Sequence, residues 1–235
     1  MSNIKKIIVW VGNWVGKQVR PYKWTPWANT VAYYPLTSNA NDYSWNGYNA
    51  TNYSATFSET DGGYFWTYTS RLQLPSMTIW NIFTISSWVK LASVPTGDQE
   101  FDIYYDWSAA YRNILYRLGT NKIDCWTGNN GSSHDASITA SLSQWTTRHN
   151  YILVKNWTSI NIYKDWSTTP ILSKTSSYNP SIPWWWNTVC VWHSTWWSAS
   201  YSVSWYIKDY IIEKGIWSTT QISDYYNSTK SNYWL

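Results

Sequence analysis

Four dipeptides in this chain have the form of a hairpin turn, with tryptophan where glycine normally stands. They are Asn13-Trp14, Asp106-Trp107, Asn156-Trp157 and Asp165-Trp166. Tight two-residue turns between antiparallel strands need a positive φ, which is why Asn-Gly and Asp-Gly dominate them. A bulky residue in that conformation costs roughly 1–2 kcal/mol. The pattern therefore predicts β-hairpins whose turns are either strained or were meant to contain glycine.

The composition agrees with the second alternative. The 235 residues include 22 Trp and only 10 Gly, whereas glycine is usually about 7% of a globular chain. We hypothesise that the gene uses a reassigned UGA codon for glycine, and that it has been translated here as tryptophan. UGG codons at these tryptophans would exclude the hypothesis; the positions to read are Trp14, Trp45, Trp107, Trp157 and Trp166.

Size and charge limit the classes of protein that fit. The length suits one large all-β domain or two small ones. Charged residues make up 13% of the chain and the formal net charge is +4, without a continuous basic stripe, so we predict no nucleic-acid partner. No apolar run approaches the ~20 residues of a membrane span, so no membrane insertion is expected. The polar, weakly charged composition is typical of virion, extracellular or cell-surface proteins.

The N-terminal apolar run, residues 7–11, is interrupted by Gly12 and Asn13. No small-residue cleavage site follows it, so we interpret it as a first strand and not as a signal peptide. Lack of a leader favours a particle assembled in the cytoplasm, such as a phage virion. The two prolines between Lys17 and Pro26 set residues 1–26 apart as a strand-turn extension before a domain of residues 27–235.

Strand patterns dominate the chain, and none of its segments shows a sustained helical period. In Phe83–Leu91, for example, Phe83, Ile85, Ser87 and Val89 share one face. Strands at intervals of 8–12 residues predict an antiparallel jelly-roll sandwich, an all-β fold. One short helix is predicted near Ser218–Tyr225, because Ser218 and Gln221 form a capping box. The strongest strands are Val31–Leu36, Phe83–Leu91, Phe101–Tyr105, Asn113–Leu118, Asn150–Val154, Ile160–Tyr163 and Tyr206–Glu213.

The two cysteines, Cys125 and Cys190, both lie in strand-like stretches. Two buried free thiols are the favoured interpretation, and a bridge between neighbouring strands is the alternative. No metal-binding pair is formed.

Five motifs follow one another along the chain: 32–36 (AYYPL), 41–47 (NDYSWNG), 83–90 (FTISSWVK), 160–166 (INIYKDW) and 205–212 (WYIKDYII). Their order resembles the concanavalin A-like lectin/glucanase superfamily, specifically its laminin G-like domains. The resemblance covers roughly residues 30–228 and implies a jelly-roll fold. Trp45, Trp166 and Trp205 stand where the family has glycine, whereas Trp88 stands where the family itself has tryptophan.

Glycoside hydrolases of this fold place carboxylates in an E-x-D-x-x-E strand so that they converge on one cleft. The nearest imitation here is Glu100 and Asp102 with Asp106 beyond, for which a polar edge strand is the simpler explanation. The histidines, His134, His149 and His193, have no ligand spacing and no convincing serine or cysteine partner. We therefore predict that the protein is not an enzyme, with a degenerate glycoside hydrolase as an alternative.

The resemblance also implies a structural calcium ion between an early loop and the last strand. Asp209 matches the family position for a ligand, and Asp42 lies in the corresponding loop. Hard cations need several oxygen ligands at about 2.3–2.6 Å. The alternative is that Asp42 caps its turn and Asp209 makes a hydrogen bond.

The expected function is a non-catalytic recognition module that binds a glycan or cell-surface polysaccharide. Residues 18–21 and 230–233 further resemble phage-tail and surface proteins that join a short extension to this domain. A homo-oligomer in a fibre or particle is compatible with that setting. A purely structural component without ligand is the main alternative. With 21 Tyr and 22 Trp, aromatic content does not identify a ligand site.

Overall fold

The computed structural model describes most of the chain beyond residue 27. In strands β7–β10 and β14, defined below, it gives the backbone and register, with the side chains of Ile123 and Cys125 only. The predicted extension, residues 1–26, lies outside the described part. The described ranges are 28–66, 69–77, 79, 81–92, 100–107, 113–119, 123–129, 133–135, 146–175, 188–192 and 204–233.

The described residues form fifteen strands, one α-helix and one 3₁₀ segment. All strand pairs are antiparallel, which confirms the predicted all-β class. The elements are β1 Thr30–Tyr34, β2 Thr51–Tyr53, β3 Thr56–Ser58, β4 Gly62–Phe65, β5 Arg71–Leu74, β6 Ile82–Leu91, β7 Glu100–Trp107, β8 Asn113–Gly119, β9 Ile123–Asn129, β10 Ser133–Asp135, β11 His149–Asn156, β12 Ser159–Lys164, β13 Leu172–Thr175, β14 Thr188–Trp192, β15 Trp205–Lys214, α1 Thr219–Thr229 and the 3₁₀ segment Lys230–Tyr233.

The strands form two sheets. The eight-stranded sheet has the order β13-β12-β11-β6-β15-β4-β3, with β1 also beside β15. The seven-stranded sheet has the order β10-β9-β8-β7-β14-β5-β2. In β15 the register against β6 shifts between Lys208 and Ile211, so β4 pairs with the first part of β15 and β1 with the second. This bulge contains Asp209, which has a φ of 50°.

A single core fills the space between the two sheets. Phe83, Ile85 and Val89 belong to it from the eight-stranded sheet, and Leu72 and Leu74 from the seven-stranded sheet. Alternate residues of each strand face the core, as the pleat requires. The alternation predicted for β6 is confirmed, since Trp88 belongs to a different cluster on the opposite face.

The helix covers the outer face of the eight-stranded sheet. Ser218 is its N-cap: the Ser218 hydroxyl accepts from the backbone of Gln221, and the Gln221 side chain accepts from the backbone of Ser218. The predicted capping box is therefore confirmed, and the helix extends a further turn than expected. Its buried side chains join Trp88 in the second cluster, where Trp88 stacks on Tyr226 and Tyr233 at 5.5 and 4.2 Å between ring centroids.

Two of the expected tryptophan turns have the predicted backbone. Trp45 has a φ of 76° and Trp157 a φ of 52°. Trp157 occupies the first position of the two-residue loop between Asn156 and Ser159, the position that a type II′ turn normally fills with glycine. At Asp165-Trp166, the positive φ falls on Asp165 (56°) and not on Trp166.

One of the expected tryptophan turns is wrong, and Trp205 does not have a backbone conformation that requires glycine. Trp107 is the last residue of β7 and pairs with Thr188, so it is a strand residue and not a turn residue. Trp205 is a strand residue opposite Leu91 and Phe65, is 2% exposed, and packs in the main core. An extended, buried position does not need a residue without a β-carbon. Trp14 lies outside the described residues.

At Gly62, both the backbone conformation and the close approach of a neighbouring strand require glycine. A β-carbon at Gly62 would lie 2.2 Å from the backbone oxygen of Ile207, and its φ is +86°. Strand β4 can approach β15 this closely only because the side chain is absent.

The two cysteines do not bridge neighbouring strands. Cys125 is a free, buried thiol in β9, and Cys190 lies in β14, which β8 and β7 separate from β9. Three strand spacings are about 14 Å, twice the reach of a disulfide.

Candidate functional site

The carboxylate of Asp42 stabilises the loop between β1 and β2 by accepting hydrogen bonds from both the loop and β1. Its Oδ1 accepts from the backbone amides of Tyr33 (2.9 Å) and Ser44 (2.8 Å). Its Oδ2 accepts from the Ser44 hydroxyl (2.8 Å) and the Tyr48 amide (2.9 Å). Asn46 fastens the same loop to β1, donating to the carbonyl of Val31 at 2.9 Å. Hydrogen bonds of this kind are typical of a turn-capping aspartate.

Asp209 holds the C-terminal segment against the sheet. Its Oδ1 accepts from the Tyr33 hydroxyl at 2.7 Å, and its Oδ2 accepts from the Tyr233 hydroxyl. Burial raises the pKa of Asp209, and the hydrogen bonds from Tyr233 and Tyr33 only partly oppose this. The two predicted ligands therefore contact the same residue, Asp42 at the backbone of Tyr33 and Asp209 at its phenol.

These contacts bear on the calcium hypothesis. All four carboxylate oxygens of Asp42 and Asp209 already accept hydrogen bonds from the protein. Within the described residues, no group of three His, Cys, Asp or Glu side chains is placed to hold a metal ion. A calcium ion needs six to eight oxygen ligands, so binding would require some of these donors to be exchanged. The calcium site stays a prediction.

The backbone positions of the acidic residues of the hydrolase alternative do not all lie on one face of the sheet. In β7, Asp102 pairs with Trp192 and Asp106 with Val189 of β14, and a register shift lies between them. The extra residue of this bulge places the backbone positions of Asp102 and Asp106 on opposite faces. The arrangement differs from the convergent carboxylates of a glycosidase cleft.

A group of charged residues surrounds the end of the 3₁₀ segment on the eight-stranded sheet. Asp61 Oδ1 accepts from Lys90 at 3.0 Å and from Arg148 at 3.3 Å, and Lys208 donates to the carbonyl of Glu59 at 2.6 Å. Burial acts to raise the pKa of Asp61, but the hydrogen bond from Lys90 and the charges of Lys90 and Arg148 outweigh it and lower the pKa. These charged groups bind one another, as expected of a structural network.

Sequence reasoning also missed a partly buried pair, His149 and Asp165, next to this network. His149 Nδ1 lies 2.8 Å from Asp165 Oδ2, and Asp165 Oδ1 accepts from the amide of Asn150 at 2.9 Å. The sequence indicates a turn and the end of a family motif at Asp165-Trp166, but no partner for the aspartate. That aspartate in fact ties the end of β12 to the start of β11.

The outer face of the seven-stranded sheet is open among the described elements. All fifteen strands belong to the two sheets, and the helix packs on the eight-stranded sheet. Along β5, Leu72 and Leu74 are buried in the core, whereas Arg71 and Gln73 alternate with them and are half-buried. Arg71 and Gln73 therefore lie on the open face.

Tyr53 joins Arg71 at the edge of this face. The two residues are directly opposite in β2 and β5, and the guanidinium carbon of Arg71 lies 3.9 Å from the centroid of the Tyr53 ring. The ring is 37% exposed. Within the described residues, the side chains of Tyr53, Arg71 and Gln73 make no hydrogen bond or ion pair.

We call Tyr53, Arg71 and Gln73 the open-face corner. None of the three was singled out from the sequence. The pattern Arg-Leu-Gln-Leu at 71–74 would have identified a half-buried strand, but nothing local shows that its polar side chains have no partner.

Four tryptophans are well exposed, and each belongs to a different connection between strands. Trp45, Trp66, Trp157 and Trp166 are 92%, 52%, 55% and 66% exposed. They belong to the connections β1–β2, β4–β5, β11–β12 and β12–β13, so nothing assigns them to one surface.

No protein-family model and no curated protein matches the chain. Solved structures do. The binding domain of Paraclostridial Mosquitocidal Protein 1 aligns with a TM-score of 0.66 at 14% identity, over 85% of this chain and 52% of the toxin domain. The botulinum neurotoxin serotype D ligand binding domain, solved with N-acetylneuraminic acid, aligns with a TM-score of 0.64 at 12% identity, over 85% and 50%.

A third structure aligns over nearly its whole length. Domain 4 of AbnA, a GH43 extracellular arabinanase from Geobacillus stearothermophilus, was solved with arabinotriose. It aligns with a TM-score of 0.62 at 13% identity, over 84% of this chain and 98% of the domain. The chain has a lectin-like β-sandwich fold. It spans about half the length of the toxin domains, and these neighbours are binding domains, not catalytic ones.

Proposed function

We propose that the protein is a non-catalytic carbohydrate-recognition module that binds a cell-surface or particle-surface glycan on the open face of its seven-stranded sheet. The observation that carries this proposal is the open-face corner, where an aromatic ring, a guanidinium and an amide lie together and make no hydrogen bond or ion pair with the described residues. Partly exposed polar groups without a protein partner are hydrogen-bonded to water, which a ligand can replace. Sugar hydroxyls, which both donate and accept, would satisfy these groups.

The register extends the surface inward from the corner. Gln73 lies opposite Cys190 of β14, and Cys190 lies opposite Tyr105 of β7. Residues directly opposite one another in a ladder occupy the same face of a sheet. The open face thus runs across at least four strands, β2, β5, β14 and β7, which is wide enough for an extended oligosaccharide.

The structural neighbours support the class of ligand. One was solved with arabinotriose and another with N-acetylneuraminic acid. On this basis we also propose that the chain is a laminin G-like domain of the concanavalin A-like superfamily. A phage tail, virion or cell-surface protein remains the proposed setting, with a homo-oligomer as a compatible arrangement.

The test is a glycan array probed with the full chain, with and without calcium, followed by titration of the best ligand. Tyr53→Ala should weaken binding at least about tenfold, because it removes an exposed aromatic anchor. Tyr64→Ala is the matched control, since Tyr64 is a half-buried tyrosine on the eight-stranded sheet, stacked on Tyr206. Equal losses in both variants would contradict this site. Failure to bind any glycan in either condition would favour the structural component.

A further inference from the structure

We infer that the glycan carries a carboxylate group and that Arg71 binds it. This inference rests on the proposed function and specifies the chemical class of its ligand as an acidic saccharide. Two observations support it: the Tyr53 ring positions the Arg71 guanidinium, and the described residues give that guanidinium no hydrogen-bond acceptor.

Arg71 is positioned without using its hydrogen-bond donors. Its guanidinium carbon lies 3.9 Å from the centroid of the Tyr53 ring, within the range of a cation–π contact. Stacking of this kind restricts the side chain while leaving the N–H groups at the guanidinium edge available. A guanidinium presents five donors in a planar fork that matches a carboxylate.

The described residues supply no acceptor for that fork. Arg71 makes no hydrogen bond or ion pair with them. Asp102, the carboxylate residue that the register aligns with Arg71 through Trp192, lies two strands away, about 10 Å between backbones. Arg148 shows the contrast, because it is paired with Asp61. Arg71 is therefore a half-buried cation whose charge the described structure leaves uncompensated.

A carboxylate satisfies such a group better than a hydroxyl does. Two parallel, charge-assisted hydrogen bonds between a guanidinium and a carboxylate are roughly twice as strong as neutral ones. Gln73, two residues along β5 on the same face, supplies an amide that can both donate to and accept from neighbouring hydroxyls. An acidic sugar presents both kinds of group on one ring, which matches the pair Arg71 and Gln73.

The experiment compares acidic polysaccharides with their carboxyl-reduced forms, in which the carboxylate becomes a neutral hydroxymethyl group and the linkages are unchanged. The probes are polygalacturonate, alginate and polysialic acid, titrated into the full chain. We expect at least one acidic form to bind at least about tenfold more tightly than its reduced counterpart, since a hydrogen bond to a charged group contributes more than a neutral one. That preference should decrease as salt is raised.

Arg71→Gln should abolish the preference for the acidic form, so that the variant binds the acidic and the reduced forms with affinities within about twofold of each other. Arg71→Lys should retain part of the preference, because it keeps the charge and loses the fork. Circular dichroism of both variants checks that they fold.

Equal binding of acidic and reduced forms, or an equal loss of both in Arg71→Gln, would overturn the acidic-ligand inference but keep glycan binding. Binding of only neutral array glycans would also overturn it, whereas no binding at all would overturn the proposed function itself.

Discussion

Four of the six described non-glycine residues with a left-handed backbone are two aspartates and two tryptophans, whose side chains behave differently. Asp165 and Asp209 have φ values of 56° and 50°, and their carboxylates accept hydrogen bonds from nearby strands and loops. Aspartate tolerates this conformation better than other residues. Trp45 and Trp157 have φ values of 76° and 52° but hold exposed indoles. The indoles themselves contribute little packing to offset this conformation, so these two positions support the recoded-glycine hypothesis most directly.

Trp45→Gly should raise the free energy of unfolding by about 1 kcal/mol. Relief of a left-handed conformation is worth roughly 1–2 kcal/mol, and the greater freedom of glycine in the unfolded chain offsets part of it. The side chain is 92% exposed, so little packing is lost. Urea denaturation measures the change.

Trp205→Gly is the control, and it should destabilise by about 3–5 kcal/mol because it empties a core position. A loss of stability in Trp45→Gly would show that its backbone is not strained. The gene gives an independent check, since the hypothesis requires UGA at codons 45 and 157.

At the scale of elements, a buried lysine ties the β11–β12 hairpin to the start of β6. Lys155 is fully buried, and its ammonium donates to the carbonyls of Trp157 and Asn81. Burial lowers the pKa of Lys155 from 10.5 to about 8. The charged form is therefore less favoured in the folded protein than in the unfolded chain, where the side chain is hydrated.

Between pH 8 and pH 10.5 the unfolded chain binds this proton and the folded protein does not. Stability therefore rises with pH across that window, by up to about 1.4 kcal/mol per unit. Lys155→Met lacks the group, so wild type should gain about 2–3 kcal/mol relative to the variant from pH 7.5 to pH 10. Denaturant unfolding of both proteins at several pH values measures this. Tyrosines that ionise near pH 10 affect both proteins and cancel in the difference. A difference that does not change with pH would contradict the lowered pKa.

At the scale of the whole molecule, Tyr33 links the first strand to both predicted calcium ligands. Its amide donates to Asp42, and its hydroxyl donates to Asp209, which is 176 positions away in the sequence. Asp209 also receives the hydroxyl of Tyr233, so the beginning and the end of the described chain meet at this carboxylate. The hydrogen bonds of Tyr33 and Tyr233 to Asp209 connect the first strand to the C-terminal segment with or without a bound cation.

If calcium binds here, the melting temperature of wild type should rise with calcium and fall back in chelator, because a ligand of the folded state stabilises it. Asp209→Asn should lose this calcium-dependent gain, since it removes the charge while keeping the shape. Tyr233→Phe should keep the gain, because it removes only a hydroxyl donor. A wild-type melting temperature that is identical in calcium and chelator would exclude the metal.

Much of the architecture can be predicted from short segments of the sequence. The alternation in Phe83–Leu91 defines β6 and its two faces, and Ser218 with Gln221 defines the start of the helix. Both features depend only on residues that are close together in the sequence. The tryptophan pattern is less reliable, since it predicts a turn at Trp107, where the structure has a strand. A turn needs a particular φ, and that value is set by the pairing of strands as well as by the dipeptide.

The sequence by itself determined the class of fold, the alternation of its strands and the cap of its helix, because each follows from short-range periodicity and hydrogen bonding. Only the tertiary structure decided which tryptophans are buried, where the bulges in β7 and β15 lie, and that Asp42 and Asp209 meet at Tyr33. It also decided that, among the described residues, Arg148 has an acceptor and Arg71 has none. Whether a charged side chain is paired depends on residues brought together from distant parts of the chain, so a local sequence pattern does not predict it.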